Sequence, residues 1–89
     1  MTPPLPLEFL RGGEFADVTE VTGEPTWVGR MAELGLRAGA RVQVVQGGSP
    51  CLVKVNGSRL CLRGEQAMQI LVRIVVPDPA ELRLAVEPC

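Results

Sequence analysis

Short runs in which apolar and polar residues alternate dominate the chain, and they predict β-strands. Residues 15–21, FADVTEV, are rich in β-branched side chains, and residues 40–46, ARVQVVQ, alternate valine with polar residues. Residues 70–76, ILVRIVV, are apolar on both sides of Arg73, a pattern typical of a strand inside a sheet. These segments predict three strands separated by turns.

A β-hairpin gives the clearest local signal, within residues 51–63, CLVKVNGSRLCLR. Asn56-Gly57 is the preferred central pair of a two-residue type I′ turn, and apolar residues alternate with polar ones on both sides of it. This turn fixes which residues of the two strands face each other. The predicted pairs are Val55 with Ser58, Val53 with Leu60, and Cys51 with Leu62. In this register the apolar side chains of both strands share one face of the sheet.

One short helix is predicted between the first two strands, at residues 26–34, TWVGRMAEL. Pro25 suits its first turn, where the missing backbone N–H is not needed. Trp27, Met31 and Leu34 recur at i, i+4 and i+7, which predicts one apolar helix face. The pattern leaves two roles open for Trp27, an anchor in the core or an exposed contact.

Glycines mark the end of this helix. Gly35 stands where helices end with a residue in the left-handed conformation, and Leu36 follows at the position whose apolar side chain usually packs back on the helix. Gly39 then marks a second turn that leads into the next strand. Arg30 and Glu33, three residues apart in the helix, can form a weak ion pair.

The predicted elements, about five strands with one short helix after the first, indicate a mainly β fold. No strand–long helix–strand repeat is present, and a small antiparallel barrel is the usual way to protect strand edges in so short a chain. Residues 64–69 predict a turn or a single helical turn. The Pro-rich residues 1–6 are expected to be a flexible N-terminal segment, and the barrel is expected to span 7–76. Residues 77–89 are expected to be a C-terminal extension, either an edge strand or a short helix.

Composition excludes several classes of function. The chain has 89 residues, a net charge of −1 and nine cations spread along its length, so it lacks the positive patch that nonspecific nucleic-acid binding needs. Histidine is absent, which removes the commonest general base and metal ligand. No glycine-rich phosphate loop with its lysine is present, and the apolar runs are too short to cross a bilayer. We expect a cytoplasmic protein that is not an enzyme, has no cofactor and does not insert into a membrane.

The three cysteines are the only soft metal ligands in the sequence. The hairpin register places Cys51 and Cys61 on opposite faces of the sheet, where they can neither form a disulfide nor share a metal ion without distortion. We interpret both as small buried apolar residues, and Cys89, the last residue, as exposed.

Three stretches together resemble the FeoA family: PLEFLRGGEFADVTEV, RMAELGLRAGARVQVV and PCLVKVNGSRLCLRGEQAMQILV. The most specific part is RMAELGLRAG, residues 30–39. It resembles the family signature R-L-x-E-L-G-h-x-x-G, with Met31 in the usual leucine position. Residues 53–70 are similar to the family's closing hairpin and strand, and the whole similarity covers about residues 6–76.

The resemblance implies a small SH3-like barrel that serves as a cytoplasmic accessory protein of bacterial ferrous iron uptake. The implied partner is the membrane permease FeoB, contacted through its cytosolic GTPase domain or its transporter core. The family pattern implies neither catalysis nor a metal site. Transition-metal binding is associated with the family as a whole, and the absence of histidine argues against it here.

The main alternative follows from the same barrel, which also forms the C-terminal domain of diphtheria-toxin-repressor-type metalloregulators. Such a regulator carries DNA-binding and metal-binding domains upstream, and residues 1–6 cannot hold them, so a stand-alone regulatory domain is expected. It would dock a proline-containing segment of a regulator. The chain is only 3% aromatic. This composition argues against the docking role, because grooves that bind proline-containing segments are usually lined by aromatic residues.

Residues around the helix end are the candidates for contact with a partner. These candidates are Arg30, Glu33, Leu36 and Arg37. The turn residues Gly35, Gly39, Asn56 and Gly57 are expected to serve the fold instead. Small barrels with edge strands often self-associate, so the sequence also leaves a homo-oligomer open.

Overall fold

Antiparallel pairing of short strands builds the sheet. The structure, a computed structural model, describes residues 3–48 and 50–76. The strands are β1 (Leu5–Pro6), β2 (Phe15–Val21), β3 (Arg41–Gln46), β4 (Cys51–Val55), β5 (Ser58–Leu62) and β6 (Ile70–Val75). The helices are a 3₁₀ helix (Leu7–Phe9), α1 (Pro25–Glu33) and α2 (Gly64–Met68). The strands follow the order β1-β6-β2-β3-β4-β5 across the sheet, which confirms the mainly β, antiparallel fold.

The described part of the chain has six strands, one more than the sequence analysis expects. The additional strand, β1, pairs Leu5 with Val72 and Pro6 with Leu71 of β6. A strand of two residues shows no alternation, and its proline is tolerated because β1 lies at the edge of the sheet. Leu5 and Pro6 therefore belong to the sheet, although the sequence predicts a flexible segment for them. With β1 on one side and β2 on the other, β6 lies inside the sheet, as predicted.

The β4–β5 hairpin has the predicted register. Asn56 and Gly57 both have positive φ angles, 52° and 81°, as a type I′ turn requires. The facing pairs are Val55 with Ser58, Val53 with Leu60, and Cys51 with Leu62. The two-residue turn and the apolar alternation thus specify the same pairing.

Alternate residues of the strands supply the core. In β3, for example, Val42 and Val44 are buried, while their neighbours along the strand are more accessible. The core also includes apolar residues from outside the strands. Leu7 from the 3₁₀ helix, Leu36 from the turn after α1 and Ala67 from α2 are fully buried in it.

The helix α1 presents only part of its predicted apolar face to the core. Met31 is buried and Trp27 is half-buried against the core, which answers the open question about Trp27 in favour of packing. Leu34 is 41% exposed, so its predicted place on this face is wrong. The helix ends at Glu33, and the chain turns away before Leu34 can point inward.

A Schellman motif ends α1 and brings Leu36 into the core instead of Leu34. Gly35 has a φ of 102°, and its N–H donates to the Ala32 carbonyl at 3.0 Å. The Leu36 N–H donates to the Met31 carbonyl at 2.8 Å, and the Leu36 side chain is fully buried. The predicted left-handed glycine and its apolar follower are both confirmed.

The second glycine turn attaches this corner to β2. Gly39 has a φ of 92°, and its N–H donates to the Val18 carbonyl at 2.7 Å. The Val18 N–H donates to the Ala40 carbonyl at 2.8 Å. Because both bonds end on the middle of β2, the turn has a fixed position on the sheet.

The two cysteines of the hairpin lie on opposite faces, as the register predicts. Cys51 is buried in the core, whereas Cys61 is exposed, so the interpretation as a buried residue is correct for Cys51 and wrong for Cys61. The alternation of β5 directs Leu62 inward and Cys61 outward. Burial, and then interaction with Cys61 and Glu8, raises the pKa of the Cys51 thiol. Cys89 lies outside the described residues.

Replacing Gly35 by alanine should lower the free energy of unfolding by about 1–2 kcal/mol, because an L-residue is strained at this φ. The added Cβ would also lie 3.3 Å from Asn56 Cβ. Gly29→Ala is the matched control. Gly29 lies inside α1 with open space around an added Cβ, so alanine there should raise the free energy of unfolding by up to about 1 kcal/mol. Urea denaturation measures the free energy of unfolding of both variants. Equal changes in the two would contradict the need for a left-handed residue at position 35.

A thiol reagent should distinguish the two hairpin cysteines. In a Cys89→Ser background, the folded chain should react quickly at Cys61 alone, because Cys51 is shielded and its thiol pKa is raised. Adding Cys61→Ser should abolish the fast phase and adding Cys51→Ser should preserve it. Rapid modification of two thiols would contradict the buried position of Cys51.

The raised thiol pKa of Cys51 also has a consequence for stability. The protonated Cys51 thiol contributes its full share of the folding stability at pH values below the pKa of a cysteine in the unfolded chain, about 8.5. The contribution is lost as the pH rises through the higher folded-state pKa. Chemical denaturation of the wild-type chain and of Cys51→Ala between neutral and alkaline pH measures this loss of stability. If the free energy of unfolding depends on pH in the same way in both proteins, the raised pKa is contradicted.

Candidate partner-binding surface

The end of α1 and the following glycine turns place three charged candidates at the surface. Arg30 and Glu33 lie in α1 and are exposed. Arg37 is also exposed and follows the buried Leu36. The Schellman motif and the hydrogen bonds of Gly39 fix the backbone on both sides of Arg37, so this side chain projects from a well-defined corner.

Leu36, the fourth candidate, does not lie at the surface. Its side chain is fully buried, so its predicted role as a partner contact is corrected to support of the surface from below. The Schellman geometry is the reason, because it directs the residue after Gly35 back onto the helix. No ion pair joins Arg30 and Glu33 in the described part of the chain. Solvent screening leaves such exposed pairs with little stability to gain.

An apolar groove lies between α1 and the second half of β2. Its volume is about 300 Å³. The residues that line it are Thr19, Glu20, Val21, Val28, Ala32, Leu36, Arg37 and Ala38. Valine and alanine side chains form the walls, Leu36 contributes from the core side, and the charged residues are Glu20 and Arg37.

A polar depression lies on the other side of the turn, towards the hairpin. Its volume is about 380 Å³. The residues that line it are Gly35, Arg37, Ala38, Gly39, Ala40, Arg41, Val55 and Asn56. The depression therefore brings together the end of α1 and the tip of the β4–β5 hairpin. Arg37 and Ala38 line both the apolar groove and the polar depression, whereas Gly57 lines neither.

The two arginines of the polar depression differ in their partners. Arg41 Nε donates to Asp17 Oδ1, and Arg41 Nη2 donates to Asp17 Oδ2 at 3.4 Å. Both side chains are 39% exposed, so the pair contributes at most about 1 kcal/mol to stability, but it restricts the position of the guanidinium. The side chain of Arg37 makes no hydrogen bond or ion pair within the described residues. Its charge is thus available to another molecule.

Arg37 is a candidate contact that the sequence predicts, but most of the residues that surround it in the fold are not apparent from the sequence. Val21 and Val28 belong to different elements, and only the folded chain brings them into one groove. The pair of Asp17 with Arg41 depends on the β2–β3 register, which places these residues opposite each other. No local motif carries that register, although the β-strand patterns of both segments are plain in the sequence.

Groups that could support other chemistry are few in this part of the molecule. Within residues 3–48 and 50–76, no three side chains of His, Cys, Asp or Glu lie together as metal ligands would. No helix among these residues is long and apolar enough to span a membrane. The arrangement at Arg37 is suited to binding, through an apolar wall on one side and a positive charge beside it.

Comparison with known proteins relates the chain to a family. It matches the FeoA domain over residues 5–74. It is 36% identical to the FeoA protein of Chlorobium tepidum, with a TM-score of 0.76 over 83% of this chain and 73% of that chain. It is 30% identical to FeoA of Stenotrophomonas maltophilia, with a TM-score of 0.68 over 78% of this chain and 89% of that chain. The Stenotrophomonas protein is a zinc-complexed SH3 domain protein and a candidate ferrous iron transport activating factor. No curated protein matches the chain.

Metal-dependent repressors share the fold. IdeR of T. acidophilum is 18% identical, with a TM-score of 0.73 over 84% of this chain and 36% of that chain. A manganese-dependent transcriptional repressor in complex with manganese is 20% identical, with a TM-score of 0.74 over 84% of this chain and 38% of that chain. At these identities the likeness concerns the fold alone, and this chain corresponds to less than half of each repressor.

The family match covers most of the chain and includes residues 30–39, which form the helix end and glycine turns that carry the candidate surface. The fold agrees with that of the FeoA proteins, of which the Stenotrophomonas member is an SH3 domain protein. This chain belongs to the FeoA family.

Proposed function

We propose that this chain is an accessory protein of bacterial ferrous iron uptake, and that it acts in the cytoplasm by binding a FeoB-type permease. The observation that carries the proposal is membership of the FeoA family over residues 5–74. The Stenotrophomonas relative, a candidate activating factor of ferrous iron transport, supports the same direction of action. The partner would be engaged through the permease's GTPase domain or its transporter core.

The candidate surface supports binding as the mode of action. In the motif of residues 30–39, the glycines and Leu36 maintain the turn, because each has a conformational or packing role there. The charged residues Arg30, Glu33 and Arg37 remain exposed. We assign the contact with the permease to this exposed set, with Leu36 beneath it as support.

The FeoA family consists of small SH3-like accessory domains and is not a known enzyme family. We therefore assign this chain a role in assembling or regulating the permease, without a reaction of its own. Iron is then the cargo of the partner, and the chain influences its passage through protein contact.

A stand-alone regulatory domain is the second candidate function. The observation that favours it is the fold shared with metal-dependent repressors, at TM-scores of 0.73 and 0.74. In that role the chain would dock a segment of a transcriptional regulator. Identities of 18–20% support the shared fold only, which is why the permease partner is preferred.

Binding to the permease should be measurable with purified proteins. We expect the full chain to bind the detergent-solubilised FeoB-type permease of the same organism in biolayer interferometry. Its isolated GTPase domain, tested in parallel, locates the contact. An iron-dependent repressor from that organism serves as the comparison ligand for the second candidate function.

Loss of the gene provides the matching test in cells. Ferrous iron uptake should fall in a deletion strain and recover when the chain is supplied again, because the permease then regains its accessory protein. Absence of binding to both permease preparations, together with normal uptake in the deletion strain, would contradict the proposal. Binding to the repressor alone would favour the second candidate function.

A further inference from the structure

We infer that the apolar groove and the polar depression form one binding site for an extended segment of the partner protein, in which an apolar side chain lies next to an acidic one. The inference rests on the proposed function for the existence of a partner. It adds where on this chain the partner binds and which chemistry it presents there.

The apolar groove and the polar depression are continuous with each other. Arg37 and Ala38 line both of them, so they meet at this dipeptide. Each volume, about 300 and 380 Å³, lies at the low end of the range for small-molecule pockets. Both features are shallow enough to reach from solvent, so together they suit side chains of a passing peptide better than one enclosed ligand.

The walls of the apolar groove define the first part of the occupant. Val21 and Val28 are half-buried, and so is Ala32. Leu36 lines the groove from the core side. Covering such surface with an apolar side chain removes it from water at about 25 cal/mol per Å², which favours an aliphatic or aromatic residue over a polar one.

The charged residues along the site define the rest of the occupant. The Arg37 side chain has no partner within the described residues, whereas the neighbouring Arg41 is already paired with Asp17. A carboxylate of the partner can therefore pair with the Arg37 guanidinium. Glu20 lines the apolar groove without an ion pair in the described part of the chain, so a basic residue is favoured there. A charge order of basic, apolar, acidic fits this surface.

The strand β2 explains why the segment would be extended. It pairs with β3 only over Phe15–Asp17 and is then bonded to the turn through Val18. Residues 19–21 line the apolar groove, and within the described residues no strand pairs with them on the β3 side. An extended peptide can lie along such a strand edge, with alternate side chains entering the groove. A nucleic acid fits less well, because the site offers a single unpaired cation.

Two variants of the full chain test the site against the solubilised FeoB-type permease. Arg37→Glu should weaken binding about tenfold, because it replaces an attraction by a repulsion. Ala38→Trp, at an exposed position shared by both features, should weaken it more than about tenfold by filling the site. Arg63→Glu is the matched control: it makes the same charge change at an exposed residue that lines neither feature, and it should change the affinity less than about twofold.

Two further measurements keep the test independent of how well the variants fold. Amide shifts of the ¹⁵N-labelled wild-type chain should change at Thr19–Val21 and Leu36–Ala38 when the unlabelled permease or its GTPase domain is added. Twelve-residue peptides covering the cytosolic segments of the permease should include one that binds the wild-type chain. Replacing that peptide's acidic residue by lysine should weaken binding to the wild-type chain and restore binding to Arg37→Glu.

The outcomes separate this inference from the proposed function. If the wild-type chain binds the permease while both site variants bind equally well, the inference is wrong and the proposed function stands. Amide shifts confined to other regions, or loss of binding with Arg37→Glu but not with Ala38→Trp, would also overturn the combined site. If the wild-type chain binds no permease preparation, the proposed function fails, and the inferred partner fails with it.

Discussion

Burial of Leu36 beneath the end of α1 is the contact on which the candidate surface depends. The Gly35 turn directs this side chain into the core, and the Leu36 N–H closes the hydrogen bond to Met31. Without that contact, the turn would lose its anchor to the helix, and Arg37 would no longer project from a fixed corner. Preorganisation of this kind reduces the entropy lost when a partner binds. The core therefore supports the candidate surface through a residue that is itself fully buried.

The rest of the fold supplies the two walls between which this corner lies. One wall comes from α1 and the second half of β2, and the other comes from the tip of the β4–β5 hairpin, where Asn56 lines the polar depression. Gly39 and Val18 connect the corner to the sheet through backbone hydrogen bonds. A small domain with little aromatic surface can in this way present charged side chains from fixed backbone positions.

Local signals in the sequence predict the fold well, and they predict the site only in part. The Asn56-Gly57 turn and the Gly35 helix end were predictable because a left-handed backbone conformation favours glycine and asparagine. Strand β1 was not, since two residues carry no periodicity, and Leu34 was misassigned because helical spacing does not reveal where a helix stops. The groove between Val21 and Val28 depends on tertiary placement alone. Arg37 and the turn residues Gly35, Leu36, Gly39 and Asn56 could be named from the sequence, but the groove residues of β2 and α1 beside them could not.

The contact between the two turns has a consequence for how such a sequence can diverge. A Cβ added at Gly35 would lie 3.3 Å from Asn56 Cβ and 3.5 Å from a methyl group of Val55. Two motifs that are twenty-one positions apart in the chain thus lie close enough for an added side-chain atom of one to touch the other. A change of backbone conformation or bulk at either motif alters the space available to the other. Substitutions at the helix end and at the hairpin tip should therefore be accepted in compatible pairs, so that the two turns evolve as a single unit.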